Sequence, residues 1–425
     1  MNGSNLVKKV LHLFRIGSLF LFLSSSYCLQ LMAQEADIGI AMPLTITGEA
    51  LRTQRLRTED PHAGTVAAAF RGVFSPTLKL GTNWFAYSAI QVSSTPFFYY
   101  DSYEPERKVE TKVLQAFVGY SRTGEKRSIS LKAGKLTSAF GSFPLRYDDT
   151  ANWLLDQPLS YGSYLKIRPD QLPCGVGEFS SGGMYPAEVD FHCGGAEAES
   201  YGITPVTLYG LPGSEVDFSI HRLDGRVQIT NSSPARPQSL LSHNQSAQWT
   251  AGAGYTIRQG FRIGFSTFRG PYLESAVGPL LPDGKSARDF PATGTGVDVQ
   301  WARGRWSARG EWQRFQFNFP FFKVSPAVAY GYVEIKAIIN PRLYGAIRSG
   351  YQAHNRVQDL STRSTETFLP NRQSYECAVG YRLNRRQLLK VGYEWLRTQG
   401  TSGTGDNVFG IQLVTSIDSL SKALK

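Results

Sequence analysis

The chain is 425 residues long, 41% hydrophobic, 12% aromatic and only 19% charged, with 42 glycines. A mean hydropathy of −0.24 excludes a polytopic helical membrane protein, and the aromatic share excludes wholesale disorder. The net charge of +11 does not point to nucleic acid, because Arg and Lys alternate with apolar residues instead of forming a helix patch or an aromatic platform.

Residues 1–33 read as a secretory signal peptide. Lys8, Lys9 and Arg15 precede the apolar run Ile16 to Leu23, and cleavage is expected near Ala33. The run is too short to span a bilayer, which needs ~20 apolar residues. Cys28 follows Tyr27, where a lipid-anchor signal wants a small residue, so lipidation is disfavoured.

From Ala36 onward, period-2 alternation dominates. In chain order, segments fall at 37–47, 64–74, 78–94, 109–121, 127–138, 200–209, 214–223, 246–257, 260–269, 293–302, 305–317, 327–339, 342–353, 373–384, 387–398 and 406–417, sixteen in all. Trp249, Ala251, Ala253, Tyr255 and Ile257 share one face, opposite Thr250, Thr256 and Arg258. Tyr375, Cys377, Val379 and Tyr381 oppose Glu376 and Arg382. Successive strand side chains point to opposite faces, so each segment has an apolar and a polar side. Most exceed the ~5–6 residues of globular strands and suit the ~9–11 that a tilted membrane strand needs.

The connections alternate in length. Short ones fall at 75–77, 121–126, 210–213, 258–260, 303–304, 340–341 and 384–385, and long ones at 49–63, 96–108, 139–199, 225–245, 270–291, 318–325, 355–372 and 399–405. Membrane barrels have short periplasmic turns and long external loops. The expected fold is all-β: a transmembrane antiparallel up-and-down β-barrel over 37–417, with a short tail at 418–425. Aromatics near segment ends, such as Trp84, Trp301, Trp306 and Trp395, suit the girdles of such barrels.

The last segment, Asp406-Asn-Val-Phe-Gly-Ile-Gln-Leu-Val-Thr-Ser-Ile417, resembles the closing strand of bacterial outer-membrane porins, general and phosphate-selective. Ala133-Gly-Lys135 followed by Phe140-Gly141 resembles the strand leading into their large third loop. One departure is that such families often end on an aromatic, whereas Ile417 is followed by eight more residues. The resemblance implies a water-filled channel for passive diffusion of small hydrophilic solutes or ions, a homotrimer in outer-membrane lipid, no enzymatic activity and no cofactor. It also implies that 139–199 folds inward to narrow the pore.

That loop carries nine acids and three bases, with Asp148, Asp149, Asp156, Asp170, Glu178, Glu188 and Asp190 as its candidate constriction acids. The facing wall is expected to be basic, through Lys132, Arg258, Arg262, Arg305, Arg309, Arg348, Arg382 and Lys390. Rings of fixed charge select ions in pores, and the basic wall suggests a weak anion preference. Cys174 and Cys193 are expected to pair as a disulfide in an oxidising compartment. A metal reading through Asp190, His192 and those cysteines matches no strong ligand spacing. The alternatives are a plugged barrel acting as receptor or scaffold, or a hydrolase at the rim, although no Ser/His pair stands out.

Overall fold

The computed structural model describes residues 38–53, 65–94, 109–145, 148–180, 203–206, 208–231, 247–400 and 407–418. The signal peptide and most of the C-terminal tail lie outside these residues.

Sixteen antiparallel strands close into a barrel. In chain order, β1 is Ile38–Ala41 with Leu44–Thr53, β2 is Val66–Phe74 with Thr77–Leu80, β3 is Trp84–Ser94, β4 is Val109–Thr123 and β5 is Arg127–Thr137. Then come β6 (Tyr209–Ile220), β7 (Leu223–Thr230), β8 (Gln248–Arg258), β9 (Phe261–Pro271), β10 (Pro291–Arg303) and β11 (Trp306–Phe317). The last are β12 (Ala327–Ile338), β13 (Leu343–His354), β14 (Arg372–Arg382), β15 (Gln387–Thr398) and β16 (Val408–Ile417). Each pairs with its neighbour in sequence, and β16 closes on β1 from Leu44↔Ile417 to Thr53↔Val408. Closure removes the sheet edges.

The two faces separate as the alternation requires. Val297, Val299, Trp312, Val333, Ile347 and Val379 are exposed on the exterior. Between them Asp298, Glu311, Glu334 and Arg348 are buried on the inner side. A charged interior with an apolar exterior inverts a soluble protein and suits hydrocarbon outside and water within.

The count agrees with the sequence reading, but two boundaries do not. Ser75–Thr77 is not a turn. Pro76 lacks an N–H and interrupts β2 locally, while Pro43 breaks β1 at the same level, so the two strands run on together. The chain reverses instead at 81–83, where Gly81 takes φ +64°. Likewise 210–213 lies inside β6, and the reversal comes at His221 and Arg222. The expected strand at 200–209 is therefore absent among the described residues, and β7 occupies sequence read as loop. The two shifts compensate, which preserves the total.

A packed apolar core lies within the mouth on the long-loop side. Phe140, Phe143, Leu165 and Phe179 from the third long connection join Phe268, Phe315 and Tyr330 from the wall. Phe143 stacks on Tyr161 at 4.9 Å, and Phe140 lies edge-on to Phe268 at 5.2 Å.

Candidate functional site

The described part of the third long connection, 138–180, lies against the inner faces of strands on several sides of the barrel. Near β5, the guanidinium of Arg226 donates to the carbonyls of Ala139 (2.8 Å) and Gly141 (2.6 Å). Gly141 N donates to Ser266 Oγ at 3.0 Å, and Ser142 Oγ to Glu311 Oε1 at 2.7 Å. The phenol of Tyr161 donates to Glu311 Oε2. Gly141 sits at φ +74°, and a Cβ there would fall 2.2 Å from the Tyr161 hydroxyl oxygen. Only glycine meets both conditions.

Across the lumen, Asp149 is buried against Arg71 in an ion pair and accepts from Thr47 Oγ1 at 2.6 Å. Burial alone raises its pKa, but the Arg71 guanidinium, then Lys390 and the Thr47 hydroxyl, hold it below the ordinary carboxylate range. Lys390 Nζ donates to the Asp149 carbonyl (2.7 Å) and the Leu154 carbonyl (3.2 Å). Leu155 N donates to Glu376 Oε1 at 2.9 Å, and Gln412 Nε2 donates to the Leu155 carbonyl. Arg348 links three partners: Glu334 at 2.9 Å, Glu376 at 2.8 Å and the Asp156 carbonyl at 2.8 Å. Arg309 pairs with Glu334 from the other side and lies 4.0 Å above the Trp153 ring.

Asp156 is the odd member. Its carboxyl is buried, and Oδ2 has no hydrogen-bond partner among the described residues. Burial pushes its pKa well above the carboxylate range against a backbone hydrogen bond from Gln157. Glu394, Glu376 and Glu49 push it further.

Nearer the short turns, the lumen is polar and open. A recess of about 290 Å³ is lined by Ser121, Ser130, Asp217, Asp224, Arg226 and Arg262, among others. Lys132 pairs there with Glu215 (2.8 Å) and Asp217 (2.6 Å), and Arg262 with Asp224 (2.5 Å) and Asp298 (2.9 Å).

The structure therefore divides the expected basic wall. Arg309, Arg348 and Lys390 bear on the loop, whereas Lys132 and Arg262 face the recess. Arg258, Arg305 and Arg382 are exposed at the short-turn ends. The loop acids divide too. Asp149 reaches a wall cation, Asp170 pairs with Arg168 of its own loop at 2.8 Å, and Asp148 binds Thr150. Glu178 accepts from Cys174 N at 3.0 Å. Glu188 and Asp190 lie outside the described residues, as does Cys193, so the expected disulfide pairing falls there too. Cys377 is a free, exposed thiol.

The picture of an acidic loop facing a basic wall is too simple. The charge expected from the sequence left out the wall's acids, Glu215, Glu311, Glu334, Glu376 and Glu394, and the cations Arg71 and Arg226. The signal was present, since Glu376 and Glu394 sit on the same strand faces as the cations that were selected.

No family model matches the chain, and no curated protein matches it. Solved structures do. The outer membrane channel DcaP of Acinetobacter baumannii superposes with a TM-score of 0.53 at 10% identity, over 89% of this chain and 97% of that one. A loop L8 deletion mutant of OmpT from Vibrio cholerae gives 0.52 at 7%, over 89% and 99%. An anion-selective porin from Comamonas acidovorans gives 0.51 at 8%, over 89% and 100%. With its sixteen closed strands and charged inner face, the chain has the fold of the outer-membrane porins.

Proposed function

We propose that the exported chain is an outer-membrane porin, a passive channel for small hydrophilic solutes or ions. The observation that carries this reading is the barrel's inverted polarity, with charged side chains inside and exposed apolar side chains outside. The loop bound across the lumen then acts as the constriction, and the polar recess forms the vestibule on the short-turn side. Width and fixed charge do the selecting, and no bond-making step is required. Assembly as a trimer extends the porin resemblance.

Selectivity is weaker in this reading than the charge count suggests. The excess of bases outside the loop favours anions, but the lumen cations Lys132, Arg262, Arg309 and Arg348 are each neutralised by wall carboxylates. Refolded protein in a planar bilayer tests the proposal. Discrete conductance steps with a reversal potential near zero in a salt gradient are expected. The packed apolar core in the mouth favours a second reading, a plugged barrel serving as receptor or scaffold. Absence of steps from correctly folded protein would favour that reading over the channel.

A further inference from the structure

The short-turn end of the barrel is strongly basic. Counting two residues to either side of each turn, the seven short connections hold 13 Lys or Arg against two acids, Glu125 and Asp224. Asp224 is already paired with Arg262. Outside the third long connection, which lies against the inner wall, the long connections between strands hold 11 acids and 10 bases, so the basic excess belongs to the short-turn end. Every short connection contributes at least one cation, so the positive charge forms a ring rather than a patch.

Three of these cations sit on the outside of the barrel. Arg122 follows Val118 and Tyr120 on the exterior face of β4. Arg127 precedes Ile129 and Leu131 on that of β5, and Arg303 follows Val299 and Trp301 on that of β10. All three are exposed, and among the described residues none takes part in an ion pair. They adjoin the aromatic girdle. Tyr120 meets Trp84 edge-on at 5.2 Å, and Arg303 is the register partner of Trp306. Trp84 and Trp306 are each 54% exposed. Girdle aromatics lie at the headgroup level, so a cation one step further toward the turn sits among the phosphates. Charges serving only the pore would face the lumen.

We propose that the short-turn rim is a binding surface for anionic phospholipid headgroups of the inner leaflet, with Arg122, Arg127 and Arg303 contacting them from the exterior face. Basic side chains near an anionic membrane surface attract its headgroups over about a Debye length. The ring would collect these lipids as an annulus and fix the barrel's depth.

The test uses the mature chain refolded into vesicles of phosphatidylcholine with about one-third phosphatidylglycerol. Lipid that co-purifies after mild detergent extraction is then quantified. At about 50 mM salt the phosphatidylglycerol-to-phosphatidylcholine ratio of the annulus should be roughly threefold that of the bulk. At about 0.5 M salt it should approach the bulk ratio. The variant R122Q/R127Q/R303Q, checked for folding by its heat-modifiable gel mobility, should lose at least half of the enrichment. A wild-type annulus of bulk composition at low salt overturns the proposal without needing any variant. So does an enrichment that the folded variant retains. Salt-sensitive co-sedimentation with purified peptidoglycan, without lipid enrichment, would also overturn it and assign the ring to the cell wall. None of these outcomes depends on conductance.

Discussion

At the scale of single residues, Asp149 and Asp156 hold the loop in opposite ways. Asp149 is a buried charge answered by Arg71, and removing that cation leaves the carboxylate only the field of Lys390 and the Thr47 hydroxyl. Arg71→Ala should therefore destabilise the folded barrel by about 3–5 kcal/mol. Adding Asp149→Asn should recover much of that loss, as read from denaturant midpoints in detergent. Asp156 is a buried acid beside Glu394, Glu376 and Glu49, with Arg348 at its own carbonyl and Lys390 at the Leu154 carbonyl two residues before it. Its folded pKa is raised, so the docked loop holds the proton that an undocked loop would release. The contribution of Asp156 to docking is full below the ordinary carboxylate range and is lost as pH rises through the raised value. Asp149 is depressed, so its contribution is lost only in strong acid. Channel noise and protease cleavage within 139–180 should rise as pH climbs through the raised value of Asp156, and Asp156→Asn should flatten the dependence. An unchanged pH profile in the variant would remove Asp156 from the account. Gly141→Ala should loosen the loop at its entry, because the new methyl meets the Tyr161 hydroxyl in a backbone conformation unfavourable to alanine.

At the scale of elements, the strands carry the scaffold and one connection lies against its inner wall. The alternation that makes each strand two-faced also sets the wall charges in rows. Arg309, Glu334, Arg348 and Glu376 form a chain of ion pairs across β11, β12, β13 and β14. The row then holds the loop through the Leu155 amide and the Asp156 carbonyl. Shortening the loop between Phe143 and Phe179 should raise single-channel conductance several-fold if the loop is the constriction. Unchanged conductance would place the narrow point elsewhere. The strand boundaries show what local reading misses. Ser-Pro-Thr at 75–77 and Gly-Leu-Pro-Gly at 210–213 are turn signals by composition. Both lie within strands: Pro43 of β1 matches the break at Pro76, and β6 absorbs Gly210 as a bulge opposite Leu136 and Thr137.

At the scale of the whole molecule, the exterior decides which solvent the barrel tolerates. The mature chain should need detergent or lipid to stay monodisperse, and its circular dichroism should be dominated by strand. Monodispersity in plain buffer would contradict the inverted polarity. The sequence by itself determined the barrel. Side-chain alternation and the rhythm of short and long connections are local properties, and each segment displays them without reference to the others. It also exposed Asp149, Arg348 and Lys390 as polar residues in suggestive places. Only the tertiary structure decided that Lys390 and Arg348 donate to loop carbonyls, across a separation of 241 positions for Lys390 and Asp149, and that Asp149 meets Arg71. The wall carboxylates that neutralise the wall cations, and the burial of Asp156 among other acids, became visible there too. The reason is geometric: strand period fixes which side of the wall a residue faces, but barrel closure and the path of one long loop fix what stands opposite it.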